Sequence, residues 1–351
     1  MNRRTFLGAT AGAASAGLAG CFGLLETQTA GQPPVLSDRP DAVYYPTHVE
    51  GMKMTDMATS GDYAAAVMYS YPHRFWTVTG DEASKHAIRD RDDAHVMVSI
   101  WDPETGTVVP DAGVSIAVTN DGETVTEEVI YPMLSQPMGF HYGANFALDG
   151  TANYTVGVGI GGLSGVETVG AFDGRFAEST TIDLELSYSE AGKQEIRYEN
   201  TPDRAGDLAA VEPMSTMEMP LGIAPTADEL PGQTVGTASS GDAQFVVQAV
   251  EADRFGSGTH LAVSPRTPYN GMLIPRLGLE ASVDRDGRTV LDDALGAFLD
   301  PELGYHYGAT VDGLESGDEL TLRVTTPPQV ARHEGYETAF LSFEPMTLSV
   351  A

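Results

Sequence analysis

The chain repeats itself. His95-Val-Met-Val-Ser99 returns as His260-Leu-Ala-Val-Ser264, and Gly139-Phe-His-Tyr-Gly-Ala144 returns as Gly304-Tyr-His-Tyr-Gly-Ala309, both at an offset of 165 residues (95 to 260, 141 to 306). Between them Gly113, Val118, Asp121, Gly122, Thr124 and Val125 recur at the same spacing as Gly278, Val283, Asp286, Gly287, Thr289 and Val290. A register held that long means that a chain of 351 residues builds one unit twice. Upstream, Ser60-Gly61-Asp62 and Arg74-Phe75 match Ser240-Gly241-Asp242 and Arg254-Phe255 at an offset of 180 (74 to 254), so the first copy carries an insertion of 15 residues, placed at the polar stretch Asp81 to Arg91.

Within each copy the hydrophobic period is two. Val114, Ile116 and Val118 alternate with small or polar residues, and Ile182, Leu184, Leu186 and Tyr188 do the same, which is the pattern of half-buried strands. Asn120-Asp121-Gly122 and Asp284-Arg-Asp-Gly287 lie between such strands as hairpin turns, because Asn, Asp and Gly tolerate the positive φ of tight hairpins. The pattern predicts an all-β protein of two tandem immunoglobulin-like antiparallel β-sandwich domains, residues 41–198 and 236–351. Residues 199–235, rich in proline and carrying Met214, Met217 and Met219, read as the linker between them.

The N-terminus reads as an address and an anchor. Arg3-Arg4 opens a twin-arginine signal of residues 1–20, and its apolar stretch is too short to span a bilayer. It ends in Leu18-Ala19-Gly20-Cys21, which resembles a lipobox and implies cleavage before Cys21 and a lipid on its sulfur. Residues 21–40 then form a tether, and the folded body is expected on the outer face of the cytoplasmic membrane. Cys21 is the only cysteine, so an intramolecular disulfide and metal sites that need several thiolates are excluded. A net charge of −31 disfavours nucleic acid as a partner. Many acidic residues with only three lysines, Lys53, Lys85 and Lys193, resemble proteins of halophilic archaea. No nucleophile elbow, phosphate loop, dinucleotide fingerprint or His-Glu-x-x-His helix is present, and no enzyme activity is expected.

The repeated histidines carry the chemistry. His95 and His141 in the first copy, and His260 and His306 in the second, are expected to converge from opposite ends of their domain as metal ligands. His95 and Met97, at i and i+2, project from one strand face, and Met133 and Met138 precede His141. Imidazole with thioether favours copper, while iron(II) wants a carboxylate or water added.

The run from Pro132-Met133 to His141-Tyr142-Gly143-Ala144-Asn145 resembles the signature of the periplasmic iron-transport proteins that accompany ferrous-iron permeases. That family has an immunoglobulin-like fold and binds copper through three histidines and one methionine, and its setting beside a permease implies iron. The resemblance places its first histidine on His95, its methionine on Met133 and its second histidine on His141, with Met97 where the family has an acidic residue. Its third histidine has no counterpart in the first copy, since Gly162 to Phe172 is histidine-free; His333 fills that place in the second copy, beside His260 and His306, where Phe298 replaces the methionine. The implied function is capture of iron(II) or copper for a membrane iron permease. A structural or adhesive surface lipoprotein without metal is the alternative, and a homodimer stays open.

Two further segments stand out. His48, Glu50, Met52, Met54 and Met57 crowd twelve residues and read equally as a second metal-handling segment or an ordinary N-terminal strand. Tyr69, Tyr71, His73 and Phe75 are expected on one strand face, read as a packed edge that Pro72 marks or, alternatively, as a recognition patch, while His86 in the polar insertion is expected to be exposed.

Overall fold

The computed structural model describes residues 33–214 and 218–351; the signal, Cys21 and Met217 lie outside the described residues. The alternating segments form strands of period two. Ala112–Asn120 buries Ala112, Val114, Ile116 and Val118, and Thr180–Tyr188 buries Ile182, Leu184, Leu186 and Tyr188. With Ala152–Leu163 and Glu123–Val129 they make a four-stranded sheet, apolar on one face.

That face packs on an eight-stranded sheet whose central strands, Tyr63–Ser70 and Ala94–Trp101, are buried at every position. Alternation disappears there because both faces are covered. Ala65, Val67, Tyr69, Val96, Val98 and Ile100 point into the sandwich core. Ala64, Ala66, Met68, Met97 and Trp101 join a separate cluster on the outer face, with Met138, Met219 and, at its margin, Met52, Met54 and Met214. The second copy repeats the plan with a six-stranded and a four-stranded sheet.

The extra residues of the first copy make a hairpin, Phe75–Thr79 with Glu82–His86, where the second copy has only the short turn Asp253–Phe255. The insertion thus begins before Asp81. Tyr69 and Phe75 do not share a strand, because the chain leaves the sheet from Tyr71 to Arg74; Pro72, which cannot donate to a ladder, lies at this break. His86 is half-buried, stacked on Phe75 at 4.7 Å.

The two copies complete each other. Ala331–Arg332, from the second copy, enters the eight-stranded sheet, running parallel to Tyr131–Ser135 with Ala331 opposite Met133 and Arg332 opposite Leu134. In return Val166–Thr168, from the first copy, runs parallel to Gly296–Asp300, with Glu167 opposite Phe298 and Thr168 opposite Leu299. The same bond closes each exchange: His333 N–H donates to Leu134 O at 3.1 Å and Val169 N–H to Leu299 O at 3.2 Å. Each exchange covers a sheet edge that would otherwise be open. A boundary that assigns all of residues 236–351 to the second sandwich is therefore corrected at Ala331–Arg332. Buried Arg332 holds this crossing in place, its guanidinium donating to the carbonyls of Pro328, Ala339 and Phe340. No helix among the described residues is long and apolar enough to cross a membrane.

Candidate metal centre

His95 lies on the outer face of the eight-stranded sheet, because its strand neighbours Val96 and Val98 take the core. On the adjacent strand, Phe140, Tyr142 and Ala144 point inward, which turns His141, Gly143 and Asn145 outward beside it. Met133 sits opposite His141 on the next strand. The repeated histidines therefore do not come from opposite ends of the sandwich; they are neighbours on one sheet face. What brings their rings together is Gly143: a Cβ there would lie 2.7 Å from His95 Nε2 and 3.2 Å from Met133 Sδ, so only glycine lets the imidazole and the thioether fold over the strand toward His141.

Two further histidines complete the group. His73 comes from the break after Pro72, and His333 follows the strand that crosses from the second copy. One ligand nitrogen from each of His73, His95 and His333 lies within 4.8 Å of the others. The ring centroids of His73 are 3.9 Å from His95 and 4.6 Å from His333, and His141 is 5.2 Å from His333. His333 is thus not a partner of His260 and His306. It belongs to the first sandwich, because the strand exchange carries it there. The resemblance left the first copy without its third histidine; the second copy supplies it.

Hydrogen bonds fix the tautomers. Asn145 donates its amide to His73 O at 2.9 Å, which turns its oxygen toward His95 Nδ1 at 2.8 Å. An amide oxygen only accepts, so Nδ1 carries the proton and Nε2 keeps its lone pair. His141 Nδ1 likewise donates to Gly139 O at 3.0 Å. The Nε2 atoms of His73, His95, His141 and His333 are all buried without a hydrogen-bond partner. Unsatisfied buried nitrogens are costly in a finished core; in His73, His95 and His333, whose ligand nitrogens lie within 4.8 Å of one another, they fit a metal ion, with His141 beside that group. Burial, reinforced by the neighbouring imidazoles, holds His95 and His333 well below the ordinary histidine range and brings His73 down to about 3; burial alone outweighs other influences on His141, brought to about 4. All four are neutral at neutral pH, the form that binds metal.

A polar clamp ties the three segments that carry His48, His73 and His333. Glu334 accepts from Thr47 N at 2.9 Å and Thr47 Oγ1 at 2.6 Å through one oxygen, and from Arg74 Nε at 2.9 Å through the other. Burial would raise this carboxyl, but Arg74 and Thr47 hold it below its usual range. Met97 lines the cavity beside His73 and His333 but, like Met138, packs into the methionine cluster. Met133 instead packs with Phe75 and Ala331 under the histidines.

The second copy holds only a pair. His306 Nδ1 donates to Gly304 O at 3.1 Å, so its Nε2 lone pair accepts from His260 Nε2 at 3.0 Å. The pair is closed by rings, Phe255 stacked on His260 at 3.9 Å and Phe298 stacked on His306 at 5.5 Å. Where the first sandwich has Met133, His333 and Asn145, the second has Phe298, Val169 and Thr310. Sequence reasoning missed His73, whose counterpart at the offset of 180 is Asp253; its one signal was to be a histidine that the second copy lacks.

A family model described as a domain of unknown function, DUF7350, matches residues 48–160 and 228–349. No curated protein matches the sequence. Among solved structures, a copper-bound variant of FetP from uropathogenic Escherichia coli is 21% identical, with a TM-score of 0.30, over 39% of this chain and 97% of its own. Copper-reconstituted P19 from Campylobacter jejuni is 17% identical, with a TM-score of 0.30, over 40% of this chain and 96% of its own.

Proposed function

The chain belongs to the DUF7350 family, whose model matches one segment in each copy, and we propose that it is an extracytoplasmic, lipid-anchored metal-binding protein that captures copper or iron(II) for a membrane iron-uptake system. The observation that carries this reading is the cluster of His73, His95 and His333, with ligand nitrogens within 4.8 Å of one another, two of the three residues buried and His333 partly so. His141 and Met133 stand beside it, and the neutral imidazoles leave their lone pairs open. Three or four imidazoles and a thioether form a borderline to soft donor set, which suits copper in either oxidation state. The anchor and the permease rest on the N-terminal pattern and on the family resemblance of the His-Tyr-Gly turn.

When bound, the ion is cargo, and the chain's own residues do the holding. Asn145 and the Gly139 carbonyl orient two imidazoles, the Glu334 clamp holds the segments that bring two more, and the methionine cluster keeps water from the floor of the site. The test is a copper titration of purified protein followed by metal analysis. One ion per chain is expected, lost in His95→Ala; wild-type stoichiometry in that variant overturns the proposal.

A further inference from the structure

The strand His48–Glu50 belongs to neither sandwich. Among the described residues it pairs only with Tyr198–Asn200, in a two-stranded ribbon whose residues 48–50 line the cavity that holds His73 and His333. Such a ribbon is marginally stable alone, and here it is pinned through Thr47 to the Glu334 clamp, with His48 stacked on Tyr198 at 5.3 Å. At i and i+2, His48 and Glu50 share a face, and both line the cavity that also contains His73, Met97 and His333.

We propose that His48 and Glu50 form an outer cation position, next to the histidine cluster and in contact with its His73 through Glu50, that takes a harder divalent cation such as iron(II). This rests on reading the cluster as a metal centre and deepens it. Two carboxylates line the cavity, Glu334 and Glu50. Both oxygens of Glu334 are committed to Thr47 and Arg74. Glu50 meets His73 Nδ1 with one oxygen, while the other is buried with no hydrogen-bond partner. It is therefore the carboxylate open to an ion, and it supplies the oxygen donor that an all-imidazole and thioether set lacks for iron(II). The approach is open: Val49, Glu50, Gly51 and Met52 also border a surface cleft, in which Lys53 pairs with Glu195 and Arg197 with Glu199.

The experiment compares cobalt(II), a spectroscopic stand-in for iron(II), with copper(I), titrated anaerobically into wild type, Glu50→Gln, His48→Gln and His95→Ala. Glu50→Gln is expected to weaken cobalt by about tenfold or more, the scale on which outer partners act, to change the cobalt d–d spectrum and to leave copper near wild type. His48→Gln shifts cobalt in the same direction by less. Should Glu50→Gln fail to fold, Glu50→Asp, which keeps the charge but withdraws its oxygens, carries the same contrast. Wild-type cobalt affinity and spectrum in the Glu50 variant, with copper lost in His95→Ala, overturn the outer position alone. Copper retained in His95→Ala overturns the metal centre and this inference with it.

Discussion

The two sandwiches hold the same pair of repeated histidines in the same strands, yet only in the first do both keep a buried Nε2 without a hydrogen-bond partner. In the first, Asn145 fixes the proton of His95 on Nδ1 and Gly139 O fixes that of His141, so both Nε2 lone pairs stay free. In the second, Thr310 stands where Asn145 would be, and His260 spends its Nε2 proton on the lone pair of His306. That leaves His260 Nδ1 buried without a partner. The lesson is that a repeated ligand is not a repeated site: what differs is the residue that orients each imidazole and the one that arrives from the other sandwich, His333 against Val169.

The largest expected effect crosses the domain boundary. His333→Ala, though in the second repeat, should weaken copper by at least the upper end, about 100-fold, of what losing a supporting partner costs. His260→Ala should leave stoichiometry and affinity at wild type. Isothermal titration of both variants checks this, and a second ion lost with His260 would break the comparison outright.

Next comes the clamp. Arg74 reaches Glu334 of the other repeat, with both side chains 5% exposed, whereas its counterpart Arg254 pairs with Asp300 of its own repeat. Removing one partner strands a buried charge, and Arg74→Met should cost about 3–5 kcal/mol of stability in a denaturant melt. Arg254→Met should cost less, because Arg254 is 20% exposed and the fully buried Asp300 keeps the backbone N–H groups of Glu302 and Leu303 as donors. Equal losses would mean that the exchange is not held together through this pair.

Some of this was legible in the sequence. The offset of 165 residues carries the common plan of the two sandwiches, and alternation marks the strands of the four-stranded sheets. His95, Met133 and His141 fall in a strand-and-turn motif that repeats, so a pattern search finds them. The strand exchange left no such trace. Ala331–Arg332 is two residues long, too short for any period to show, and its partner Met133 is about two hundred residues away along the chain. Distance in sequence placed His333 with the wrong histidines. His73 was obscured differently: one proline lifts it out of the sheet, and no periodicity reports where such a residue lands.

A third comparison is with free histidine. Ordinary imidazoles would release metal as pH drops through about 6.5. Here burial pushes His73 to about 3 and His141 to about 4, so competition from protons starts lower, and copper should stay bound at pH 5.5. Stability runs the same way. These groups protonate in the unfolded chain at about pH 6.5 but not in the fold, so apo protein loses stability as pH falls from there toward 4, by up to about 1.4 kcal/mol per pH unit for each such histidine. Glu50, pushed up by burial to about 7, works in the opposite direction over that span, and one carboxyl does not offset several imidazoles. Copper retention after dialysis at pH 7 and pH 5.5, with apo melts alongside, is the measurement; release centred on 6.5 would show that the site is open to water.

The smallest expected effect is a gain. If the second sandwich is silent because of the residues that face its histidines, Val169→His with Phe298→Met should give it the ligands that His333 and Met133 provide in the first. The gain stays partial for two reasons. Thr310 cannot fix the His260 tautomer as Asn145 fixes that of His95, so an entering ion must first break the bond between His260 and His306. Nor does the second sandwich have a counterpart of His73, since Asp253 stands in that place. Copper titration of the double variant should therefore show a second, weaker ion, and adding Thr310→Asn should tighten it. If no second ion appears even in the triple variant, the closed stack of Phe255 on His260 controls the silence, and the comparison moves from missing ligands to a packed ring.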